Sequence, residues 1–163
     1  MVARTDGRQA GRQHGRTAPR VSVQAEGVRS PVARARLAAA AAVVLRAECA
    51  DAALLSITLL TPRAMARMNR EHLGHAGPTD VISFGFRDPQ GAVIGDVYLC
   101  PAVAAENARR HGVPVREELL RLAVHGTLHV LGHDHPEGEA RTRSPMWRRQ
   151  ERLLARVMAG AGR

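Results

Sequence analysis

The chain has 163 residues, which is a typical length for one domain and sufficient for one hydrophobic core. Its formal net charge is +9, and all 24 basic residues are arginine. Five arginines against Asp6 in residues 1–20, and seven against Glu151 in residues 141–163, leave the middle nearly neutral. Basic ends suit attraction to an RNA backbone, although a solvated basic face is the simpler interpretation. Four aromatic residues are too few for a base-stacking platform.

The hydrophobic pattern predicts alternating strands and helices after an arginine-rich tail at residues 1–19, which we expect to be disordered. The predicted strands are residues 21–25, 54–60, 80–86 and 92–100, the last two joined by a hairpin-like turn at 88–91. The predicted helices are residues 31–47 after Ser30 as N-cap, 62–71, 101–111, one from 115 that Gly132 stops, and one that opens at Ser144 and Pro145. Residues 20–163 should therefore form one α/β (α+β) domain, with a small mixed sheet covered by helices.

No apolar run is long enough to span a bilayer, and the first 20 residues lack the apolar region of a secretory signal. We therefore expect a cytoplasmic protein with no membrane partner. The sequence does not determine the oligomeric state.

Three histidines occur at metal-ligand spacing in the C-terminal half, in the pattern H-x3-H-x5-H. His125 and His129 lie one turn apart on the same face of a helix and can share one cation. Gly132 can adopt a left-handed conformation that ends the helix and turns the chain, so that His135 returns as a third ligand. Two histidines alone would as readily pack in a core helix, but the third favours a metal site.

Three neutral imidazoles leave a coordination position open, as in catalytic rather than structural zinc sites. A water bound there has a pKa of about 7, which suits hydrolysis at neutral pH. We expect one Zn²⁺ per chain, with nickel, cobalt or another divalent ion as alternatives. The other candidates, His72, His75 and His133, are expected on solvated loops.

The same spacing occurs in metzincin proteases, so a metalloprotease-like peptide hydrolase is one hypothesis. Those enzymes carry a glutamate general base directly after the first histidine, and this chain has Gly126 there. A peptide hydrolase would have to recruit another base, for which Asp134 is a candidate. A phosphodiester needs instead a positioned nucleophile and positive charge beside the phosphorus.

Four segments of the chain carry recognisable motifs: residues 78–84 (P-T-D-V-I-S-F), 94–101 (I-G-D-V-Y-L-C-P), 125–135 (H-G-T-L-H-V-L-G-H-D-H) and 146–151 (M-W-R-R-Q-E). Together they resemble the YbeY family of bacterial metal-dependent endoribonucleases involved in ribosomal RNA maturation. Residues 125–135 are similar to the family pattern H-G-x-L-H-L-x-G-Y-D-H. Residues 78–84, 94–101 and 146–151 resemble its blocks P-T-D-V-L-S-F, L-G-D-I-x-I-x-P and M-x-x-x-Q-E. The segments follow the family order and cover about residues 20–160.

The resemblance implies a zinc-dependent, single-strand-specific endoribonuclease that acts in 16S rRNA 3′ end maturation and ribosome quality control. Its partners would be ribosomal RNA and components of the small ribosomal subunit. The metal ligands would be His125, His129 and His135. The expected catalytic residues are His125, Arg70 and Asp134, with Asp134 orienting a ligand imidazole or, alternatively, only capping a turn.

Two positions depart from the family pattern. His72 and Leu73 stand where the family usually has Tyr-Arg, whose arginine is regarded as catalytic, so Arg70 or Arg63 would have to supply a guanidinium. His133 stands where tyrosine is common, and it could compete as a ligand or donate to the scissile phosphate. The missing arginine keeps a further alternative open, a ribosome-associated metal-binding protein with weak catalysis.

Overall fold

A computed structural model describes residues 18–160. The strands are β1 (Arg20–Glu26), β2 (Leu54–Leu60), β3 (Val81–Arg87) and β4 (Val93–Leu99). The helices are α1 (Arg34–Ala47), α2 (Pro62–Leu73), α3 (Pro101–His111), α4 (Val115–Val130) and α5 (Pro145–Ala159), with a 3-10 helix at Gly138–Arg143 between the last two. Of the tail predicted at residues 1–19, residues 1–17 lie outside the described part of the chain, and residues 18 and 19 belong to no helix or strand.

The four strands form one mixed sheet in the order β1-β2-β4-β3. Strands β1, β2 and β4 are parallel to one another, and β3 runs antiparallel to β4. Asp88 closes the β3–β4 hairpin, since its carboxylate accepts the backbone N–H groups of Gln90 and Ala92. The predicted α+β architecture with a small mixed sheet is confirmed, and β3 is left as an edge strand.

Helix α4 packs unusually close to the sheet. A Cβ atom at Gly126 would lie 2.6 Å from Cγ1 of Val97, well inside contact distance, so only glycine fits there. Eleven residues of α4 are buried, His125 among them. This close packing holds the helix in a defined position over β3 and β4. The C-terminal end of the helix lies against β3, where Gly85 approaches Val130.

The first helix begins later than the sequence pattern predicted. Ser30 does not cap it; the Ser30 hydroxyl instead donates to the carbonyl of Val32 at 2.6 Å and accepts from its N–H at 3.2 Å. This local hydrogen bonding competes with helix formation, so α1 starts at Arg34 after Ala33 as N-cap. Helix α2 ends at Leu73, two residues beyond the predicted end, where Gly74 adopts a left-handed conformation.

Within residues 18–160, none of the helices combines the length and the apolar character needed to cross a membrane.

Candidate metal centre

The end of α4 and the loop after it bring three histidines together. His125 and His129 lie on the last turns of the helix. Gly132 has φ +91° and ends the helix as the sequence predicted, with its N–H donating to the carbonyl of His129. The chain then reverses so that His135 faces the helix. The three predicted ligands therefore form a group that can bind a metal ion.

The Nε2 atoms of the three rings converge on one point. Nε2 of His129 lies 3.0 Å from Nε2 of His125 and 3.3 Å from Nε2 of His135. Tetrahedral zinc, about 2.0–2.1 Å from each nitrogen, would separate the nitrogens by about 3.3 Å. The spacing of the three side chains therefore fits a zinc ion bound through Nε2.

The opposite nitrogens of the rings are held by oxygen acceptors. Nδ1 of His125 donates to Oε1 of Gln150 at 2.7 Å, and Nδ1 of His135 donates to the carbonyl of Pro136 at 3.0 Å. The backbone of His133 hydrogen-bonds the ring of His129. A proton on Nδ1 leaves a lone pair on Nε2, so the rings present lone pairs to one another. A cation between them would turn this repulsion into ligation.

Gln150 is itself fixed by a polar network that runs away from the histidines. Its amide Nε2 donates to Oε1 of Glu151 at 3.0 Å, which establishes that its oxygen faces His125. Arg121 binds the same carboxylate at 3.1 Å, as well as Glu117 at 2.8 Å and Glu118 at 2.9 Å. Gln150 is 1% exposed. Helix α5 thus positions the first ligand through a chain of hydrogen bonds.

The buried position keeps the imidazoles of α4 neutral. Burial lowers the pKa of His125 to about 3; the hydrogen bond to Gln150 opposes this shift, and the charges of His129 and Arg141 reinforce it. Burial and the charge of His135 also lower the pKa of His129. Neutral imidazole is the form that binds metals, so both side chains can act as ligands throughout the physiological pH range.

The three histidines lie in an open cleft of about 640 Å³. Its other wall is formed by the edge strand β3 and the residues just before it, from Thr79 to Ser83. The carboxylate of Asp80 accepts from the backbone of Val81 at 2.8 Å and from Nδ2 of Asn107 at 3.1 Å. The cleft is therefore bordered by an ordered sheet edge.

Three further predicted or candidate residues differ in where they lie and in what they contact. Arg70 is exposed on α2 and does not line the cleft, whereas Leu73 does. Asp134 lines the cleft, but its Oδ1 accepts the backbone N–H of His135 at 2.8 Å, which corresponds to the turn-capping alternative. His133, one of the candidates expected on solvated loops, binds Glu48 through Nε2 at 2.9 Å and does not join the metal group.

The sequence reasoning missed two residues at the site. Gln150 falls in the M-x-x-x-Q-E segment, which resembles the family pattern but gave no indication that its side chain reaches His125. Arg141 lies in the 3-10 helix and lines the cleft together with the three histidines. Its segment has no helical or strand periodicity, so no sequence pattern related Arg141 to the histidines.

Comparisons with known proteins identify a family to which the chain is similar. A family model described as "Endoribonuclease YbeY" matches residues 22–158. "Endoribonuclease YbeY" of Frankia casuarinae is 38% identical over 148 residues, which cover 83% of this chain and 73% of the relative. The protein of the same name from Beutenbergia cavernae is 44% identical over 115 residues, 65% of this chain and 75% of the relative.

A solved structure has the same fold. The solution structure of TM1509 from Thermotoga maritima superposes with a TM-score of 0.63 at 25% sequence identity, covering 86% of this chain and 91% of that one. The family model spans most of the chain, including the segments that carry the three histidines and Gln150. The chain belongs to the YbeY endoribonuclease family.

Proposed function

We propose that this protein is a zinc-dependent, single-strand-specific endoribonuclease that acts in 16S rRNA 3′ end maturation and ribosome quality control in the cytoplasm. Its partners would be ribosomal RNA and components of the small ribosomal subunit. The observation that carries the proposal is the convergence of the Nε2 atoms of His125, His129 and His135 in an open cleft. Membership of a family named for endoribonuclease activity supports RNA as the substrate.

The donor set fits zinc on chemical grounds. His125, His129 and His135 each offer one nitrogen, and three protein ligands are typical of catalytic zinc sites. When bound, zinc supplies a Lewis acid and a means of activating water near neutral pH. Among residues 18–160, these three form the one group of histidine, cysteine or acidic side chains close enough to share an ion.

The residues of the chain then have distinct tasks. Gln150 and the Pro136 carbonyl hold two imidazoles in the orientation that presents Nε2 to the cleft. The edge strand at Asp80 to Ser83 offers a wall along which an extended RNA strand can lie. Leu73 is 46% exposed on the same cleft and adds apolar surface for a base or ribose. An open cleft of this kind suits an unpaired strand, whose bases can be splayed apart.

The geometry argues against the peptide hydrolase. The glutamate of that class would replace Gly126, but a Cβ atom at this position lies 2.6 Å from Cγ1 of Val97 and 3.2 Å from Cγ2 of Val81. The position faces the sheet rather than the cleft, so a general base there could not reach a substrate. For Asp134, the substitute considered above, Oδ1 accepts the backbone N–H of His135 at 2.8 Å.

The test is cleavage of a 16S rRNA 3′ precursor fragment by the zinc-loaded full chain. The same fragment annealed to a complementary strand serves as the matched control, and a casein-derived peptide tests the peptidase hypothesis. We expect cleavage of the single strand and little or none of the duplex or peptide. Zinc bound without RNA cleavage would instead indicate the ribosome-associated binding protein, and peptide cleavage would restore the metalloprotease hypothesis.

A further inference from the structure

Arg141 lies beside the three-histidine group but is not one of the candidate metal ligands. It is half-buried in the 3-10 helix that joins the loop of His135 to α5. It lines the cleft with the histidines and also a neighbouring cavity of about 540 Å³, which contains Trp147. Asp80, His125 and Arg141 are shared by the two cavities, so the side chain lies at the boundary between them. It is the single arginine among the described residues that line the histidine cleft.

The guanidinium of Arg141 lacks the acidic partner that nearby arginines have. Arg110 pairs with Glu106 and Arg121 with three glutamates, and both border the same neighbouring cavity. In the described part of the chain, no carboxylate lies within salt-bridge distance of Arg141. Its Nε is buried and has no hydrogen-bond partner among those residues. A cation with an unused donor, desolvated in this way, is a strong attractor for an anion.

An aromatic ring fixes this cation in place. The guanidinium carbon lies 5.9 Å from the ring centroid of Trp147, within the range of cation–π attraction. Ser144 caps the first turn of α5 by accepting the N–H of Trp147 at 3.1 Å, which anchors the ring. The position of Arg141 is therefore set before any ligand arrives, and no described residue accepts a hydrogen bond from its guanidinium.

We propose that Arg141 binds the scissile phosphate of RNA and is a catalytic residue of this protein, which rests on the function proposed above. The planar guanidinium matches two phosphate oxygens, and negative charge on those oxygens increases as the phosphodiester is attacked. Arg141 would donate hydrogen bonds to this charge through its guanidinium N–H groups. Asp134 and Glu137 add two acidic side chains to the same cleft. A phosphate that binds there therefore needs a positive charge beside the histidines to offset their repulsion.

The test compares Arg141→Met, Arg141→Lys and Arg143→Met in the zinc-loaded full chain. Methionine keeps much of the length of the side chain but not its charge, and lysine keeps the charge but not the two-pronged geometry. Arg143 belongs to the same 3-10 helix, is exposed and lines neither cavity, so its replacement is the matched control. Two readouts are taken: kcat and KM for the single-stranded RNA fragment, and the dissociation constant of inorganic phosphate from ³¹P NMR titration.

We expect Arg141→Met to lower kcat about 100-fold or more, as loss of one donor to a developing oxyanion commonly does. Its phosphate dissociation constant should rise roughly tenfold or more, since a charge-assisted hydrogen bond is lost. Arg141→Lys should recover part of both losses, Arg143→Met should stay within about twofold of the wild type, and all variants should keep equal zinc content. Wild-type kcat and phosphate affinity in Arg141→Met would overturn the proposal.

The two readouts separate this inference from the proposed function. If the wild type cleaves RNA and Arg141→Met does so equally well, the function stands and the role of Arg141 is wrong. If the wild type cleaves no RNA, the proposed function fails. The phosphate dissociation constant is then the one readout that tests whether Arg141 binds an anion. Weaker phosphate binding in Arg141→Met would then support an anion site at this residue, and unchanged binding would refute it.

Discussion

Oε1 of Gln150, on α5, accepts a hydrogen bond from Nδ1 of His125, on α4, over 2.7 Å. Both side chains are buried, and the two residues are 25 positions apart in the sequence. The bond fixes the tautomer and the ring orientation of the most buried candidate ligand. Packing of the last helix against the ligand helix is therefore part of the metal site.

Replacing Gln150 with leucine should weaken zinc binding. The Nδ1–H of His125 would lose its acceptor in a buried position, and loss of such a supporting hydrogen bond typically lowers metal affinity about 10- to 100-fold. The measurement is zinc affinity by competition with a chromophoric chelator. Gln150→Glu, which keeps an acceptor at this position, should retain much more affinity than Gln150→Leu. Equal affinities in Gln150→Leu and the wild type would show that the bond does not support the site.

Replacing Arg121 with methionine should destabilise the fold and also weaken zinc binding. Arg121 is 17% exposed and Glu118 only 7%, so the variant would leave a nearly buried carboxylate without its partner. We expect a loss of about 2 kcal/mol in the free energy of unfolding, below the full cost for a deeply buried pair because the site is partly solvated. Urea denaturation measures this loss.

The exposed pair of Arg110 and Glu106 provides the control for that prediction. Their side chains are 64% and 59% exposed, so Arg110→Met should change the free energy of unfolding by less than about 0.5 kcal/mol. If both variants were equally stable, the network around Arg121 would contribute no more than a surface ion pair does.

Substituting alanine for Gly126 should destabilise the protein although alanine favours helices. The new Cβ would lie 2.6 Å from Cγ1 of Val97, and forced overpacking of this kind costs about 1–3 kcal/mol. Adding Val97→Ala should recover part of the loss, because it removes the methyl group that clashes. Gly160→Ala is the control, since a Cβ there meets nothing within 4 Å. A rise in the unfolding midpoint of Gly126→Ala would contradict the close packing described here.

The stability of the metal-free protein should fall as the pH decreases below about 6.5. The pKa of His125 is lowered to about 3 in the folded state against about 6.5 when unfolded. Between these values the unfolded chain binds one more proton, so this residue alone lowers stability by up to about 1.4 kcal/mol for each unit of pH decrease. Urea denaturation from pH 7 to pH 4 measures the slope.

His125→Asn is the matched variant for that slope. The asparagine amide can still donate to Gln150 but does not titrate. Unfolding of this variant should therefore take up about one proton fewer, and its free energy of unfolding should depend less steeply on pH. His129, whose pKa is also lowered by burial, is present in both proteins. Parallel pH profiles for the two proteins would mean that His125 is not the group responsible.

Local signals allowed the scaffold and the metal group to be predicted from the sequence. The spacing of His125, His129 and His135 depends only on the helical repeat and on a glycine that ends the helix, and both are properties of neighbouring residues. The hairpin at Asp88 is local in the same sense. The start of α1 was missed because the hydrogen bonding of Ser30 can favour either a turn or a cap.

The remaining site residues depend on contacts between distant segments. Gln150 reaches His125 only because α5 packs on α4, and Arg141 enters the cleft only because the 3-10 helix folds back beside the sheet edge. Arg70 was expected in the cleft from its closeness in sequence to Leu73. Arg70 and Leu73 are three residues apart, which is nearly one turn of α2, so their side chains should lie on similar sides of the helix. Leu73 lines the cleft, however, whereas Arg70 is exposed and does not line it.

The most direct test of the central claim is a zinc titration of RNA cleavage. Metal-free wild type, His129→Ala and His75→Ala receive increasing zinc, while bound metal and cleavage of the single-stranded fragment are measured together. His75 is exposed and lies outside the metal group, so its variant controls for the loss of a histidine as such. We predict that activity in the wild type and His75→Ala rises with bound zinc and levels off at about one ion per chain, and that His129→Ala neither retains the ion nor cleaves. Full cleavage by His129→Ala, or by the wild type without metal, would contradict the account.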